Sequence, residues 1–369
     1  MKIMVLSSYA PTLLFFREDM MIAMIKNGHD IVVAAPEPES DWTGIFKQRN
    51  IKYVAISGIE RTTINPFKDI IGFFSILRAI IREKPDKVFA YQAKTVIYGC
   101  IAARLTGIKD VYALIGGLGS VFRSENQKSI SKKILKIEYK QAFRCCTKIF
   151  FQNNDDKNEM IKSDILKKNK VVMLNGSGVN LNKFTPQPMP DTPVFLFIGR
   201  IIRDKGILEY IEAAKIVKKE YPEARIQIVG YFDTNPTAIT EAEISRSVDG
   251  GIIEYLGATD DVRPFLAKCS VFILPSYHEG TPKSVLEAMA TGRPIITTNA
   301  PGCRETVVDG VNGFLVPVKN VEVLAEKMIW MIEHSESAKR MGQKSLQICQ
   351  EKFDVNKVNE VIMNTMELN

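Results

Sequence analysis

The stretch VFILPSYHEGTPKSVLEAMATGRPIITT, residues 271–298, joins two apolar runs through a helical pattern. It begins with four apolar residues and a polar turn, continues with apolar residues at helical spacing, and ends in a second run at 295–298. Thr281 is a good N-cap, and Pro282 suits the first helical position, so a helix is predicted to begin there. Two apolar strands joined by an amphipathic helix are typical of a parallel sheet covered on both faces.

The same pattern continues along the chain in both directions. Strands without polar alternation are predicted at residues 3–6, 31–35, 53–56, 88–90, 111–114, 149–151 and 171–174, and then at 194–198, 226–229, 252–256, 271–274, 295–298 and 314–316. Between the two series, residues 185–193 hold four prolines in nine positions, which marks a linker. We therefore predict an α/β protein with doubly wound domains at 1–185 and 186–352, and a final helix at 353–369 that packs back on the first domain. Ligands of such sheets bind beyond the carboxyl ends of the strands, so the predicted site is a cleft between the domains.

Composition and charge narrow the class of protein. The chain has 369 residues, of which 46% are hydrophobic and 25% charged, as expected for two globular domains. The net charge of +7 suits a phosphorylated ligand or an anionic lipid surface and is too small to indicate nucleic acid. Six scattered cysteines without metal-ligand spacing predict reduced thiols in a cytoplasmic protein. No apolar run is long enough to span a bilayer, and Pro11 and Arg17 argue against a signal peptide, so membrane contact is predicted to be peripheral.

The turn before the helix at 282 has the features of an anion site. A helix N-terminus offers N–H donors and about half a positive charge, and Gly280 lets a ligand approach the backbone, which suits the phosphates of a nucleotide. Glu279 and Glu287 bracket this point and can accept hydroxyl hydrogen bonds at opposite ends of a sugar nucleotide. The alternative is that both glutamates only favour the helix dipole.

A second candidate segment is FIGRIIRDKG, residues 197–206, at the end of the first strand after the linker. It places the cations of Arg200 and Lys205 at the same edge of the sheet, where they can neutralise a departing diphosphate. The chain has no D-x-D sequence to hold a divalent cation on a sugar nucleotide, so a mechanism without metal or other cofactor is predicted. The alternative is that both side chains are solvated loop charges.

Five motifs, taken together, resemble those of the family 4 retaining glycosyltransferases. They are GR-x4-KG (Gly199, Arg200, Lys205, Gly206), PS-x2-EG-x-P (Pro275, Ser276, Glu279, Gly280, Pro282), E-x7-E (Glu279, Glu287), PG-x-RE (Pro301, Gly302, Arg304, Glu305) and DG-x-NGFLV (residues 309–316). The resemblance spans nearly the whole chain and implies a GT-B fold, in which two Rossmann-like domains face a central cleft, and retention of the anomeric configuration. The segment 175–184 is similar to the family's interdomain motif, with Asn180 where aspartate is usual, which puts a structural hydrogen bond in question.

The roles of the site residues follow from this resemblance. It implies that Arg200 and Lys205 bind the donor diphosphate and that Glu279 and Glu287 contact the donor sugar and the ribose. Arg200, Lys205 and Glu279 are the predicted catalytic residues. The predicted donor site comprises Gly199, Arg200, Lys205, Glu279, Gly280, Thr281, Pro282, Lys283 and Glu287.

The first half of the chain carries the predicted acceptor-side residues. Where many relatives have a histidine after the fourth strand, this chain reads YQAKTVIYG, residues 91–99, with Gln92 and Lys94 in the loop. A carboxamide can donate a hydrogen bond but cannot take up a proton, so no general base is assigned there. Gly117 allows close approach of the backbone to a ligand, and Arg17 is assigned to the same side.

Three segments of this half resemble the branch of the family that assembles bacterial O-antigen, capsule or related lipid-linked oligosaccharides. They are residues 91–99, the glycines of IGGLGSVF at 115–122, and the R-x3-NP motif formed by Arg61, Asn65 and Pro66. This branch implies an acceptor that is linked to a membrane lipid.

Two helical stretches could bring the first domain to a membrane. Basic residues recur every fourth position from 131 to 144, at Lys132, Lys136, Lys140 and Arg144. Residues 67–81 form a broadly apolar helix that ends in Arg78 and Arg82. Both could dock on an anionic membrane surface; the alternative is a solvated charged face and a helix buried against the sheet.

The expected function is a retaining, metal-independent glycosyltransferase. It moves a hexose or N-acetylhexosamine from a UDP-sugar to a polyprenyl-diphosphate-linked saccharide on the inner face of the plasma membrane, with no cofactor and no nucleic acid partner. Two other functions fit the same ligand. A non-hydrolysing sugar-nucleotide epimerase would need acid and base residues, and a non-catalytic nucleotide-sugar-binding subunit would not need the glutamates and cations.

Overall fold

Apolar, β-branched runs form the strands of two parallel sheets. The computed structural model describes residues 1–60, 65–118, 130–233 and 237–369. The chain divides into a first unit, Met1–Ser177 with Asn356–Asn369, and a second unit, Gly178–Val355. Each predicted strand is present, with ends within two residues of the predicted bounds. The α/β prediction is therefore confirmed.

The first unit is built on seven parallel strands. They are β1 Lys2–Leu6, β2 Asp30–Ala35, β3 Ile51–Ala55, β4 Lys87–Tyr91, β5 Asp110–Ile115, β6 Lys148–Phe151 and β7 Val171–Met173, in the sheet order β3-β2-β1-β4-β5-β6-β7. Its helices are α1 Ala10–Lys26, α2 Glu39–Lys47, α3 Pro66–Glu83, α4 Cys100–Leu105 after a π-helical turn at Thr95–Gly99, α5 Ile130–Cys145 and α6 Asn154–Lys162. Ile3 and Val5 of β1 join one apolar cluster, and Met4 and Leu6 join the other. Because successive side chains of a strand point to opposite faces, the sheet is buried on both sides.

The second unit repeats this plan with six parallel strands. They are β8 Val194–Ile198, β9 Arg225–Val229, β10 Glu254–Tyr255, β11 Val271–Leu274, β12 Ile295–Thr298 and β13 Gly313–Val316, in the order β10-β9-β8-β11-β12-β13. Its helices are α7 Ile207–Glu220, α8 Glu241–Asp249, α9 Arg263–Lys268, α10 Lys283–Ala290, α11 Val321–Glu333 and α12 Ser335–Ile348. The strand order reverses between β8 and β11 here, and between β1 and β4 in the first unit. Open α/β sheets bind ligands at such a switch point, beyond the carboxyl ends of the strands.

The last helix of the chain, α13 Val355–Met366, contributes to the core of the first unit. Val358, Ile362, Met366 and Leu368 are buried in the same apolar cluster as the β1 residues Ile3 and Val5. The carbonyl oxygen of Leu368 also lies 2.8 Å from Nε2 of His29. Residues from both ends of the sequence thus form one core.

The units divide at different residues from those predicted. The first unit ends at Ser177 and not at 185, and the second ends at Val355 and not at 352. Val179 explains both shifts, because its N–H donates to the carbonyl of Phe353 at 2.8 Å and its carbonyl accepts from Val355 at 3.0 Å. The proline-rich segment has the composition of a linker, but contacts of this kind decide which unit a residue joins.

The basic residues of α5 do not form one exposed stripe, so that part of the prediction is wrong. Lys132 is buried. Lys136 Nζ donates to Ser163 Oγ at 3.0 Å, and Lys140 Nζ lies 2.6 Å from Oδ2 of Asp164. These lysines therefore face α6 and the turn after it, while Arg144 remains exposed at the end of the helix.

Helix α3 is apolar on two faces. Ile76 and Ile80 are buried in the core. The solvent-facing positions of the same helix carry Phe67, Ile70, Ile71, Phe74 and Ile81, and Phe67 is 81% exposed. Helix α5 likewise exposes Ile130, Ile134 and Ile137. Among the described residues, no helix is both long and apolar enough to cross a bilayer.

Candidate functional site

The loop after β8 brings Arg200 and Lys205 to the switch point of the second sheet. A short 3-10 turn, Arg203–Lys205, ends at Gly206, whose φ is 71°. A β-carbon on Gly206 would lie 2.1 Å from the carbonyl oxygen of Pro275, in the loop after β11. Only glycine tolerates both this φ and this contact, so Gly206 holds Lys205 against the β11 loop.

Lys205 forms an ion pair with Glu279, which stands in the β11 loop. Lys205 Nζ donates to Glu279 Oε1, and the two side chains are 18% and 13% exposed. The Glu279 N–H donates to the carbonyl oxygen of Pro301 at 2.9 Å, and a β-carbon on Gly302 would lie 2.2 Å from the Glu279 carbonyl oxygen. Loops after β8, β11 and β12 therefore converge on Glu279.

The Glu279 carboxyl is held in its ionised form. Burial alone would raise its pKa, but the charge and hydrogen bond of Lys205 and the charge of Arg200 lower the pKa below the ordinary value. An ionised carboxylate only accepts hydrogen bonds. Glu279 can therefore orient a sugar hydroxyl but does not act as a proton donor.

Arg200 is paired with a carboxylate that sequence reasoning missed. Its Nη1 lies 2.7 Å from Oδ2 of Asp233, a largely buried residue in the loop after β9. Both predicted cations thus stand beside a carboxylate. Asp233 follows the neighbouring strand of the same sheet, so the rule that ligands collect at carboxyl ends of strands could have identified it.

The helix of the predicted anion site begins one residue later than expected. Thr281 was the predicted N-cap, but α10 starts at Lys283 with Pro282 as its N-cap. Pro282 has extended backbone angles and no side-chain cap hydrogen bond. Gly280 and Thr281 form a bend before the helix, so Thr281 is a buried loop residue.

Glu287 lies on α10, one helical turn after Lys283. Burial raises the pKa of its carboxyl to about 7, and the charges of Lys283 and Lys183 oppose this shift without cancelling it. The side chain keeps an accessible edge. Glu287 therefore titrates near neutral pH, whereas Glu279 stays ionised.

Asn180 makes the local hydrogen bonds that its motif requires. Its Oδ1 accepts from the backbone N–H groups of Asn182 at 3.1 Å and Lys183 at 3.2 Å. An amide oxygen can accept these bonds as a carboxylate would. The substitution of asparagine for aspartate therefore leaves this turn intact.

Gln92 organises the loops at the switch point of the first sheet. Its Oε1 accepts from Ser7 Oγ at 3.0 Å and from both the N–H and the hydroxyl of Ser8 at 2.8 Å, and its Nε2 lies 3.3 Å from Thr12 Oγ1. Its φ of 73° is unusual for a residue with a side chain. The amide therefore ties the β4 end to the β1–α1 turn.

The other predicted acceptor-side residues are Lys94, Gly117 and Arg17, and each has different surroundings. Lys94 forms a 2.6 Å ion pair with Asp69 of α3, and both side chains are mostly buried. Gly117 lies just after β5 with a φ of 137°. Arg17 is buried on α1. Arg61 and residues 119–122 of the glycine-rich segment lie outside the described residues.

Two family models match the chain. Residues 180–347 match Glycosyl transferases group 1, and residues 3–153 match Glycosyl transferase 4-like. Together they cover both units, so the chain belongs to this family of glycosyltransferases and is an enzyme of that class.

Curated relatives align over most of their length. The N,N'-diacetylbacillosaminyl-diphospho-undecaprenol alpha-1,3-N-acetylgalactosaminyltransferase of Campylobacter jejuni is 28% identical over 366 residues, 94% of each chain. The UDP-Gal:alpha-D-GlcNAc-diphosphoundecaprenol alpha-1,3-galactosyltransferase of Escherichia coli is 29% identical and covers 72% of this chain and 71% of its own.

Solved structures share the fold. Anabaena Alr3699/HepE in complex with UDP superposes with a TM-score of 0.78 at 17% identity over the whole of both chains. Sucrose-phosphate synthase from Thermosynechococcus elongatus gives a TM-score of 0.82 at 16% identity, over 99% of this chain and 98% of its own. The fold is GT-B, as the motifs implied.

Proposed function

We propose that this enzyme transfers a hexose or N-acetylhexosamine from a UDP-sugar to a polyprenyl-diphosphate-linked saccharide, with retention of configuration and without a metal ion. The observation that carries the proposal is the cluster of Arg200, Asp233, Lys205 and Glu279 at the switch point of the second sheet. Both relatives are named for transfer to a saccharide on undecaprenyl diphosphate, and one of them is named for a UDP-sugar donor.

In this proposal the donor lies across the switch point with its diphosphate on Arg200 and Lys205. Glu279 accepts a hydrogen bond from a sugar hydroxyl, and ionised Glu287 accepts from the ribose. Asp233 and Glu279 hold the two cations in place, so few side chains need to reorganise when the donor binds.

Transfer breaks the bond from the anomeric carbon to the diphosphate oxygen and forms a bond to the acceptor hydroxyl oxygen. Negative charge grows on the leaving diphosphate, and Arg200 and Lys205 stabilise it in a partly buried site, where charge interactions are stronger than in water. The acceptor proton passes to the departing phosphate oxygen on the same face of the sugar, which accounts for retention without a protein base.

Purified protein incubated with a panel of nucleotide sugars and an undecaprenyl-diphosphate-linked saccharide tests the proposal. We expect one UDP-sugar to be consumed only when the acceptor is present, a product with the anomeric configuration of the donor, and an unchanged rate in EDTA. An inverted product or a rate abolished by EDTA would contradict the mechanism. Conversion of the sugar nucleotide without acceptor would instead identify an epimerase.

We further propose that the first unit docks on the inner face of the plasma membrane through the solvent-facing sides of α3 and α5. Their apolar exposed residues are accompanied by exposed cations, namely Lys68, Arg78, Arg82, Lys133 and Arg144. The acidic residues of α3, Asp69 and Glu83, are buried and engaged with Lys94 and Lys52. Within the described residues the fully exposed positions of the two helices carry no carboxylate. Glu138 of α5 is partly exposed and Glu60 pairs with Lys68, so the cations outnumber the acids on this surface, which suits an anionic lipid surface.

Sedimentation with vesicles tests this surface. The variant Phe67→Ser/Phe74→Ser should bind vesicles rich in phosphatidylglycerol at least about tenfold more weakly than wild type, because two inserted rings are lost. Val308→Ser/Val311→Ser, which replaces exposed apolar residues of the second unit, is the control and should bind like wild type. Equal binding of the α3 variant, or equal binding to neutral vesicles, would contradict docking on anionic lipid.

A further inference from the structure

Among the residues that the structure describes, the first unit contains a buried cation, Arg17, that has no counter-ion. Arg17 is only 3% exposed, and among the described residues its Nε has no hydrogen-bond partner and no carboxylate pairs with it. Its guanidinium carbon lies 5.2 Å from the centroid of the Tyr91 ring. Burial lowers the pKa of Arg17 to about 10, and the Tyr91 phenol opposes the shift. The side chain therefore remains charged at neutral pH.

Burying the unpaired charge of Arg17 destabilises the folded protein. An unpaired charge away from water is strongly unfavourable, and buried arginines normally have carboxylate or carbonyl partners. The second unit shows the usual arrangement, because Arg293 is also buried there but donates to the carbonyl oxygens of Leu266, Ala267 and Pro188. Arg17 lacks such a shell, so its retention suggests a ligand.

Arg17 lies at the place where the first sheet is expected to bind ligands. Tyr91, which it covers, is the last residue of β4, and β4 is the strand next to β1 at the switch point. The Tyr91 hydroxyl is 2.7 Å from Thr12 Oγ1, and Thr12 belongs to the network that Gln92 forms with Ser7 and Ser8. The hydroxyl groups of Ser8 and Thr12 already donate to Gln92 Oε1 and the Tyr9 carbonyl oxygen, so the Arg17 guanidinium is the donor that this polar network offers to phosphate oxygens.

We propose that Arg17 binds the diphosphate group of the lipid-linked acceptor at the switch point of the first unit. The inference rests on the proposed function for the identity of the acceptor. Diphosphate supplies the negative charge that Arg17 lacks, and its oxygens can accept two parallel N–H bonds from the guanidinium fork. The contact would hold the acceptor by the diphosphate at its lipid-proximal end.

Titration with inorganic diphosphate tests the site without any transfer reaction. The proteins are wild type, Arg17→Met and the control Arg49→Met. Arg49 is already paired with Glu18, which lies on the same helix as Arg17. All are titrated with UDP present in excess, to occupy the second unit. Arg17→Met should bind diphosphate at least about tenfold more weakly, and Arg49→Met should bind like wild type. Equal affinity in wild type and Arg17→Met would overturn the proposal.

Thermal unfolding separates a ligand role from a structural one. Methionine fills a similar volume and removes the unpaired charge, so Arg17→Met should melt at or above the wild-type temperature. A structural arginine would lower it, which would count against the site. If Arg17→Met fails to fold, Arg17→Lys retains the charge without the fork and should still bind diphosphate more weakly than wild type.

Kinetics then distinguish the source of the diphosphate. With a diphosphate-linked acceptor, Arg17→Met should raise KM for the acceptor at least about tenfold with a smaller change in kcat. With a phosphate-free alkyl glycoside of the same saccharide, the variant and wild type should behave alike. Weaker diphosphate binding with an unchanged acceptor KM would show that the site takes free diphosphate and would overturn its assignment to the acceptor. Loss of all transfer in wild type would count against the proposed function alone.

Discussion

Replacing Lys205 with alanine is expected to lower kcat/KM for sugar transfer on the order of 10³-fold, the magnitude typical of removing a preorganised group that stabilises the leaving charge. Lys205 is fixed against Glu279 by the contact between Gly206 and Pro275, so it needs no rearrangement to meet the departing diphosphate. Its removal also breaks the ion pair with the Glu279 carboxylate, which raises the pKa of Glu279 and weakens the folded state. Steady-state kinetics and urea unfolding measure the two effects separately.

The double variant Lys205→Ala/Glu279→Gln separates loss of chemistry from loss of fold. It removes both charges of the pair, so it should recover most of the stability that Lys205→Ala loses but none of the activity. Lys215→Ala, which breaks an exposed pair with Glu212 on α7, is the matched control and should match wild type in both measurements. Transfer at the wild-type rate by Lys205→Ala would remove the donor-site assignment.

The free energy of unfolding is expected to fall as pH rises from about 4.5 to about 7, through the titration of Glu287. The pKa of this carboxyl is about 7 in the folded protein, against an ordinary value of 4.5. Between these values the folded state binds more protons than the unfolded state, so stability decreases with rising pH and levels off above the folded pKa. The full difference is on the order of 3 kcal/mol, an upper bound because one edge of the side chain reaches solvent.

Urea unfolding at several pH values measures this slope. Glu287→Gln removes the titrating group, so its free energy of unfolding should exceed that of wild type most clearly at pH 8. Its free energy of unfolding should also change less with pH. The affinity for UDP should be lower in Glu287→Gln than in wild type, because only the ionised wild-type carboxylate accepts both ribose hydroxyl bonds. For the same reason the affinity of wild type for UDP should fall below pH 7. The exposed Glu322 provides the control variant, Glu322→Gln. Parallel pH profiles for wild type and Glu287→Gln would contradict the assignment.

The strands could be predicted from the sequence because continuous apolar runs have few alternatives to a sheet buried on both faces. The loop positions of Lys205 and Glu279 could also be predicted, since each lies in the loop that follows such a run. The carboxylate partners of Arg200 and Lys94 could not be predicted from the sequence. Asp233 is 33 residues from Arg200, and Asp69 is 25 residues from Lys94, so their pairing depends on which strands and helices are neighbours.

Helical periodicity has a similar limit. The spacing of Lys132, Lys136 and Lys140 correctly places them on one side of α5, but it does not say what that side faces. The structure puts Ser163 and Asp164 opposite two of them. At α3 the apolar composition likewise does not say which residues are buried, and half of its apolar residues face solvent.

The contribution of α13 to the first unit bears on how the protein is made. Residues 178–355 are continuous in sequence, so the second unit can fold as soon as they leave the ribosome. The first unit is synthesised earlier, yet Val358, Ile362, Met366 and Leu368 reach its core only after the whole of the second unit has been synthesised. A nascent chain that stops at residue 177 therefore exposes part of the apolar surface around Ile3 and Val5, and the half made first is the half completed last.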